Sequence, residues 1–169
     1  MSAVFHFPGI AHDRIARAVH RVLEATPLCS MATRGPGDQV HINTAFFAWS
    51  EALELFFLST PDSVHCRNLA QSPEMAVAVF DSHQPWGERH RGLQLFGVGE
   101  PVPPVRLSEV EGLYARRFPR YREFNARDDA AFAALRFYFF RATALKLLDE
   151  EEFGEATPIA VAVVRPDNR

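Results

Sequence analysis

Residues 55–80, LFFLSTPDSVHCRNLAQSPEMAVAVF, combine two apolar strands with a polar turn and a short helix between them. Ser59, Thr60, Ser63 and His65 lie close together in this turn. Hydroxyl groups, a side chain able to carry positive charge and the free N–H groups at a helix start are what a phosphate monoester needs. Because strands hold the turn on both sides, the segment predicts a rigid ligand-binding site.

The rest of the chain predicts more strands and peripheral helices. Strands are expected at 28–33, 40–49, 53–58, 75–80, 93–102 and 137–148, and helices at 12–25, about 62–71, 107–118 and about 128–135. Residues 159–164 are either a last strand or an extended tail. The short turns between early strands favour an antiparallel meander. The pattern therefore predicts a mainly β, α+β fold with a β-barrel.

We expect a single domain over residues 1–169, with an N-terminal helix at about 12–25, a barrel at about 28–148 and a C-terminal tail at 149–169. Hydrophobic residues make up 47% of the chain, which suits a globular fold. The net charge of −3 gives no overall electrostatic reason to bind nucleic acid.

Cysteine content and apolar runs bear on the cellular location. Cys29 and Cys66 are the two cysteines, too few for a disulfide framework. No signal peptide and no apolar run long enough to span a bilayer are apparent. The sequence therefore predicts a soluble cytoplasmic protein without a membrane partner.

Several sequence pieces match one family in order and spacing. They are LCSMATRGPGDQVHINTAFFAW (28–49), LELFFLSTPDSVHCRNLAQSPEMAVAVFD (53–81), GLQLFGVGEPV (92–102) and RFYFFRATALKLLD (136–149), followed by Phe153 and Gly154. With these pieces the chain resembles the pyridoxamine 5'-phosphate oxidase-like family of FMN-binding split β-barrels over residues 25–154. The resemblance implies an antiparallel split barrel that forms a homodimer, with FMN in a groove at the subunit interface.

The resemblance also implies the cofactor contacts. Ser63 and His65 fall on the family's S-x-K phosphate pair, with His65 in place of lysine. Gln94 lies on a strand that often carries a cofactor-facing glutamine in the family. The implied cofactor-binding residues are Asn43, Ala45, Phe46, Phe47, Ala48, Ser59, Thr60, Ser63, His65 and Gln94.

Two departures argue against pyridoxamine phosphate oxidation itself. Asn43 and Ala48 stand where the oxidases have arginine and lysine, and the C-terminal arginine and histidine pattern is not recognisable. The resemblance therefore favours an FMN flavoprotein that acts as an oxidoreductase, passing hydride between the flavin and a small planar substrate. The alternatives are a deazaflavin (F420)-dependent reductase and a flavin- or haem-binding protein without turnover.

Other side chains allow both functional and structural interpretations. Trp86 could stack on the flavin or substrate, or plug the barrel end. Arg67 and Arg91 are candidate second cations, although a solvated surface role is the more common one. His83 and His90 match no zinc spacing, so no metal is predicted. No residue is predicted to be catalytic, because the flavin itself carries the redox chemistry.

The strand at 40–49 has aromatic residues on both faces. Phe47 and Trp49 share one face and Phe46 takes the other, since side chains alternate along a strand. One face is expected to point into the barrel and the other towards a partner subunit. This is a reason, separate from the resemblance, to expect oligomerisation.

Overall fold

The computed structural model describes residues 2–126, 130–154 and 158–164 of the chain. Its strands form one antiparallel sheet with the order β1-β8-β7-β4-β3-β2-β5-β6. The strands are β1 Val4–His6, β2 Leu28–Arg34, β3 Val40–Trp49, β4 Glu54–Ser59, β5 Glu74–Phe80, β6 Arg91–Pro101, β7 Arg136–Asp149 and β8 Ile159–Val164.

The sheet closes because β6 pairs with β7 as well as with β5. Strands β2 to β7 thus form a six-stranded barrel, while β8 and β1 extend from β7 outside the closed ring. The predicted α+β split barrel is confirmed, and β2, β3 and β4 form the expected meander.

Six helices cover the barrel in the described part of the chain: α1 His12–Ala25, α2 Val64–Gln71, α3 Leu107–Arg117, α4 Tyr121–Asn125, α5 Ala130–Ala133 and α6 Glu150–Phe153. The apolar face predicted for α1 is buried, with Ile15, Val19 and Leu23 in the main core. None of these helices is long and apolar enough to cross a membrane.

Strand β4 is buried on both faces because it lies between two apolar cores. Leu55 and Phe57 point into the barrel. Phe56 points outwards, into a second core formed with α3, α4 and the outer face of β7. Burial of both faces explains why this strand reads as an uninterrupted apolar run instead of an alternating one.

An ion pair fixes the start of α3 on β4. The Arg106 guanidinium donates hydrogen bonds to Glu54 Oε1 and Oε2 at 3.1 and 2.7 Å. It also packs over the Phe56 and Phe139 rings, 5.6 Å from each centroid. The largest cause of the raised Arg106 pKa is its hydrogen bonding to Glu54. The helical layer over β4 is thereby attached at one defined point.

The barrel is split between β3 and β4. Strand β3 pairs with β2 from Val40 to Phe46, but with β4 only through Phe47, Ala48 and Trp49. The first seven residues of β3 therefore have no strand on their β4 side among the described strands. A cleft opens along that edge.

Some local expectations differ from the structure. The apolar sequence of residues 75–80 favours burial of the whole segment, but in β5 only alternate residues are buried, and Phe80 is 49% exposed. This follows because only the inner face of β5 is covered.

Strand β1 and helices α4 and α6 were not predicted, since three to five residues are too few for a clear period. Residues 159–164 are a strand and not an extended tail.

Candidate functional site

The split between β3 and β4 opens into a cavity of about 550 Å³. Strand β3 forms its floor, the end of β4 and the start of α2 form one side, and helices α3 to α5 form the other. The lining residues are Asn43, Thr44, Ala45, Phe46, Leu58, Ser59, His65, Tyr114, Phe118, Arg120, Tyr121, Phe124, Phe132 and Leu135. The volume lies within the range of small-molecule sites.

Ser59, Ser63 and His65 form a hydrogen-bonded group that we call the Ser–His cluster. Ser59 Oγ lies 2.7 Å from His65 Nε2 and 3.1 Å from Ser63 Oγ. Ser63 Oγ lies 3.2 Å from the same His65 nitrogen. Ser63 is also the N-cap of α2, where its side chain accepts a hydrogen bond from the Cys66 N–H at 3.4 Å. The cluster thus lies at a positive helix end.

His65 is set to be neutral in the free protein. Partial burial lowers the pKa of its imidazole below the ordinary value. The His41 ring lies nearly parallel to it, with centroids 6.3 Å apart. An anion bound at the cluster would favour the protonated imidazole, so anion binding there is coupled to proton uptake.

The exposed edge of β3 supplies backbone and amide groups. The Phe47 N–H donates to Pro27 O at 3.2 Å, on the β2 side of the strand. Because backbone groups alternate between edges, those of Thr44 and Phe46 face the cleft. Asn43 Oδ1 is buried without a hydrogen-bond partner among the described residues. An unpaired buried acceptor costs about 1–3 kcal/mol, so a ligand donor here would be stabilising.

Aromatic side chains form the helical wall of the cavity. Phe46 on the floor meets Phe118 edge-on at 5.6 Å between centroids, and Phe118 packs against Tyr114 at 4.8 Å. Burial raises the pKa of Tyr114 and of Tyr121 to about 12. Both phenols therefore keep their protons near neutral pH and are hydrogen-bond donors, not bases.

Five of the ten predicted cofactor-binding residues line this cavity. Asn43, Ala45, Phe46, Ser59 and His65 line it. Ser63 joins them through its hydrogen bonds to Ser59 and His65, and Thr60 directly follows Ser59 at the end of β4.

Phe47 and Ala48 are placed differently. The Phe47 side chain is fully buried inside the barrel, and Ala48 is buried in the core beneath α3. Neither side chain therefore faces the cleft, and both residues lie in the part of β3 that is paired with β4. The prediction that Phe47 and Trp49 share one face is confirmed, and the structure shows that this face packs against the main core.

Gln94 and Trp86 do not reach the cavity of their own chain. Gln94 lies on the outer face of β6 in a separate shallow depression. Trp86 is 100% exposed in the loop before β6, at the end of β7 opposite to the end that pairs with Ser59. Either residue would contact a ligand in the cleft only if that ligand lay in a second copy of the chain.

The candidate second cations also lie elsewhere. Arg67 is exposed and donates to the Asp62 carbonyl. Arg91 lies at the start of β6, 3.6 Å from Glu151. Neither lines the cavity.

Arg120, which does line the cavity, was missed by the sequence reasoning. Alternating arginine and aromatic residues in FPRYREF, residues 118–124, are the signal that could have indicated it.

Two observations concern other kinds of site. Cys29 and Cys66 are both free and buried, and burial raises the pKa of the Cys29 thiol to about 12, which makes it unreactive. Within residues 2–126, 130–154 and 158–164, no group of three or more His, Cys, Asp or Glu side chains is placed to hold a metal ion.

Comparison with known proteins supports the fold. No protein-family model and no curated protein matches the sequence. Similar solved structures include a haem-binding protein from Mycobacterium smegmatis, with TM-score 0.70, 13% identity and coverage of 87% of this chain and 57% of that one. Another is a pyridoxinephosphate oxidase-family protein from Clostridium acetobutylicum related to general stress protein 26, with TM-score 0.64, 14% identity and coverage of 90% and 96%.

A third similar structure is an FAD-binding protein from Mesorhizobium loti, with TM-score 0.61, 14% identity and coverage of 98% and 100%. The chain spans 57% of the mycobacterial protein and 62% of a longer protein of unknown function from Agrobacterium tumefaciens. At these identities the comparison establishes the fold. The chain has the split-barrel fold found in the pyridoxamine 5'-phosphate oxidase family, as its sequence resemblance implied.

Proposed function

We propose that the chain is an FMN-binding flavoprotein, with the cofactor in the cavity between β3 and β4, and that it acts as an oxidoreductase on a small planar substrate. The observation that carries the proposal is the coincidence of two features in one cavity. The Ser–His cluster at the start of α2 suits a phosphate, and the open edge of β3 suits the polar edge of a flat ring system.

The residues of the cavity fit such a cofactor. Ser59, Ser63 and His65 would hold the phosphate, and the unpaired Asn43 amide and the β3 backbone would meet the ring edge. A bound flavin would supply hydride-transfer chemistry. The chain itself binds and orients the ligand, and its aromatic wall excludes water from the ring face.

A homodimer is part of the proposal. The outer barrel face exposes Val40 (73%), Ile42 (66%) and Phe96 (39%), an unusual group of apolar side chains to leave in water. Gln94 lies on this same face. Pairing two copies through it would bury the apolar side chains and carry Gln94 towards a partner's cleft. A cytoplasmic location and the lack of nucleic-acid and membrane partners remain predictions from composition.

Haem binding is the second candidate. The nearly parallel His41 and His65 rings beside an aromatic cavity favour it, and one structural neighbour is described as haem-binding. Against it, His65 Nε2 already lies in hydrogen-bonding distance of both Ser59 and Ser63, so it would have to leave them to bind iron. A deazaflavin in the same groove is the third possibility.

Ligand titration separates these candidates. The protein is titrated with FMN, riboflavin, F420 and haem, followed by absorbance and flavin fluorescence. We expect FMN to bind more tightly than riboflavin, which lacks the phosphate. In the double variant Ser63→Ala/His65→Asn the loss of FMN binding should be about 2–4 kcal/mol, with riboflavin little affected. A protein that binds no FMN, or whose FMN affinity the double variant leaves unchanged, would contradict the assignment.

Turnover is tested on the loaded protein. Anaerobic mixing with a nicotinamide donor should bleach the flavin absorbance, and a planar acceptor should restore it. A flavin that no donor reduces would identify a binding protein instead of an enzyme.

A further inference from the structure

The described side chains that line the cavity carry positive charge but no negative charge. Of the described residues that line it, Arg120 alone carries a permanent charge, and no lining residue is a carboxylate. In a cavity walled by aromatic rings, a lining with one cation and no carboxylate favours an anionic ligand. Strand β3, which forms the floor, contributes no permanent cation. Asn43 and Ala48 stand at its two positions where the sequence resemblance would place arginine and lysine.

A series of aromatic contacts runs from Arg120 towards the start of β7. Its guanidinium lies over the Phe124 ring, 5.4 Å from the centroid. The Phe124 ring stacks on the Phe132 ring, with the centroids 6.1 Å apart. Phe132 belongs to α5, and the chain continues from there to Leu135, which directly precedes the β7 residue paired with Ser59. Arg120 lines the cavity with a side chain that is 74% exposed, so it lies at the rim, whereas the Ser–His cluster lies at the end of β4.

The Arg120 side chain is available to a ligand. Its nearest carboxylate is that of Glu123 at 3.8 Å, and the two side chains are 74% and 63% exposed. Such an exposed ion pair is weak in water, so a ligand carboxylate can replace it at little cost. Stacking on Phe124 limits the motion of the guanidinium, whose planar fork matches a carboxylate with two parallel hydrogen bonds.

The rings beside Arg120 indicate the shape of what it binds. Phe118, Tyr121 and Phe124 come from the same short stretch of chain and all line the cavity. Flat π-systems pack well against such rings in offset or edge-on arrangements. The rim therefore combines an aromatic surface with one carboxylate-binding group.

We propose that Arg120 is a specificity residue that binds the carboxylate of a planar aromatic substrate at the rim of the cavity, while the Ser–His cluster holds the cofactor phosphate. The inference that the bound carboxylate belongs to a substrate rests on the proposed flavin function. The binding preference itself belongs to the chain and is measurable without turnover.

The test compares benzoate and 2-naphthoate with their uncharged amides. Binding to the FMN-loaded protein is followed by the change in flavin absorbance, and binding to the cofactor-free protein by titration calorimetry and thermal shift. We expect the carboxylates to bind about tenfold more tightly than the amides, a difference of 1.4 kcal/mol. Arg120→Gln should abolish the preference and Arg120→Lys should retain part of it.

Arg122→Gln is the matched control, because Arg122 is an exposed α4 arginine that does not line the cavity. It should leave the preference intact. FMN affinity is measured for each variant in parallel. An unchanged preference in Arg120→Gln overturns the proposal, as does an Arg120→Gln variant that loses FMN affinity relative to riboflavin, since Arg120 would then bind the cofactor phosphate.

Failure of the flavin function gives a different result. If the wild-type protein binds no FMN but the cofactor-free protein still prefers carboxylates through Arg120, the anion-binding role stands and the flavin assignment fails.

Discussion

His65 differs in one important property from the lysine that the sequence resemblance would place at this position. A lysine is charged at all ordinary pH values, whereas burial lowers the His65 pKa and leaves the imidazole neutral near pH 7. A phosphate bound beside His65 would therefore favour uptake of a proton by the imidazole. Without ligand, the lowered pKa makes the stability of the fold increase with pH, whereas the affinity for phosphate decreases with pH. The contribution to stability is present above about pH 6.5 and is lost as the pH falls through the lowered pKa.

We predict that FMN affinity falls as the pH rises between 6.5 and 8.5, by at most tenfold per pH unit for one proton. The FMN phosphate stays mostly dianionic in this range, since its second pKa is about 6. His65→Lys should bind FMN with little pH dependence over the same range. Titration calorimetry in buffers of different ionisation enthalpy measures the proton uptake directly. Equal pH profiles for the wild type and His65→Lys would contradict the prediction.

At the scale of the elements, the barrel depends on how closely β6 and β7 approach. The register between them shifts at Phe96 and Gly97. A Cβ at Gly97 would lie 2.0 Å from Arg141 O and 2.9 Å from Arg141 C, both backbone atoms that have no room to move. Glycine at this position allows the bulge that closes the ring, since it has no side chain to clash with β7.

Gly97→Ala should destabilise the fold by about 3 kcal/mol or more, because the clash is with backbone and not with a flexible side chain. Gly112→Ala is the control, as a Cβ there meets only the end of the Arg116 side chain at 3.7 Å. That change should stabilise helix α3 by about 0.5–1 kcal/mol. Urea unfolding of both variants measures the difference. A Gly97→Ala protein as stable as the wild type would show that the bulge does not require glycine.

The element scale also explains why the cavity has two kinds of wall. The side chains of β4 pack into a core on each face of the strand, and the strand ends at Ser59. Burial of its apolar residues therefore fixes the position of Ser59. The aromatic wall comes from helices α3 to α5, which are packed against the outer faces of β4 and β7. A rigid polar end and an apolar wall are therefore consequences of one strand lying between two cores.

For the whole molecule, the exposed face of the barrel is the feature that a single chain does not explain. Ile42→Glu should prevent dimer formation, because a charge would lie at the centre of the apolar face. If cofactor binding needs both copies, the variant should also bind FMN more weakly. Sedimentation velocity and FMN titration measure the two effects.

Val105→Glu is the control for this prediction, since Val105 is 90% exposed and lies in the turn before α3, away from that face. It should change neither the assembly nor the affinity. A dimeric Ile42→Glu protein with normal FMN affinity would place the interface elsewhere.

The sequence by itself determined the main elements of the fold and the polar turn. Runs of apolar, β-branched and aromatic residues predicted the barrel strands, and the polar turn predicted a ligand-binding site at Ser59, Ser63 and His65, because these signals lie within a few residues of one another. Short elements such as α4 had too little periodicity to be detected.

Only the tertiary structure decided which of these residues meet. Closure of β6 on β7 joins strands far apart in the chain and leaves Gln94 on the outer face, away from the cluster. Packing of α3 to α5 over β4 brings Arg120 to the cavity that His65 lines. The physical reason is that local pattern governs the conformation of each segment, whereas burial of apolar surface between distant segments governs where the segments lie.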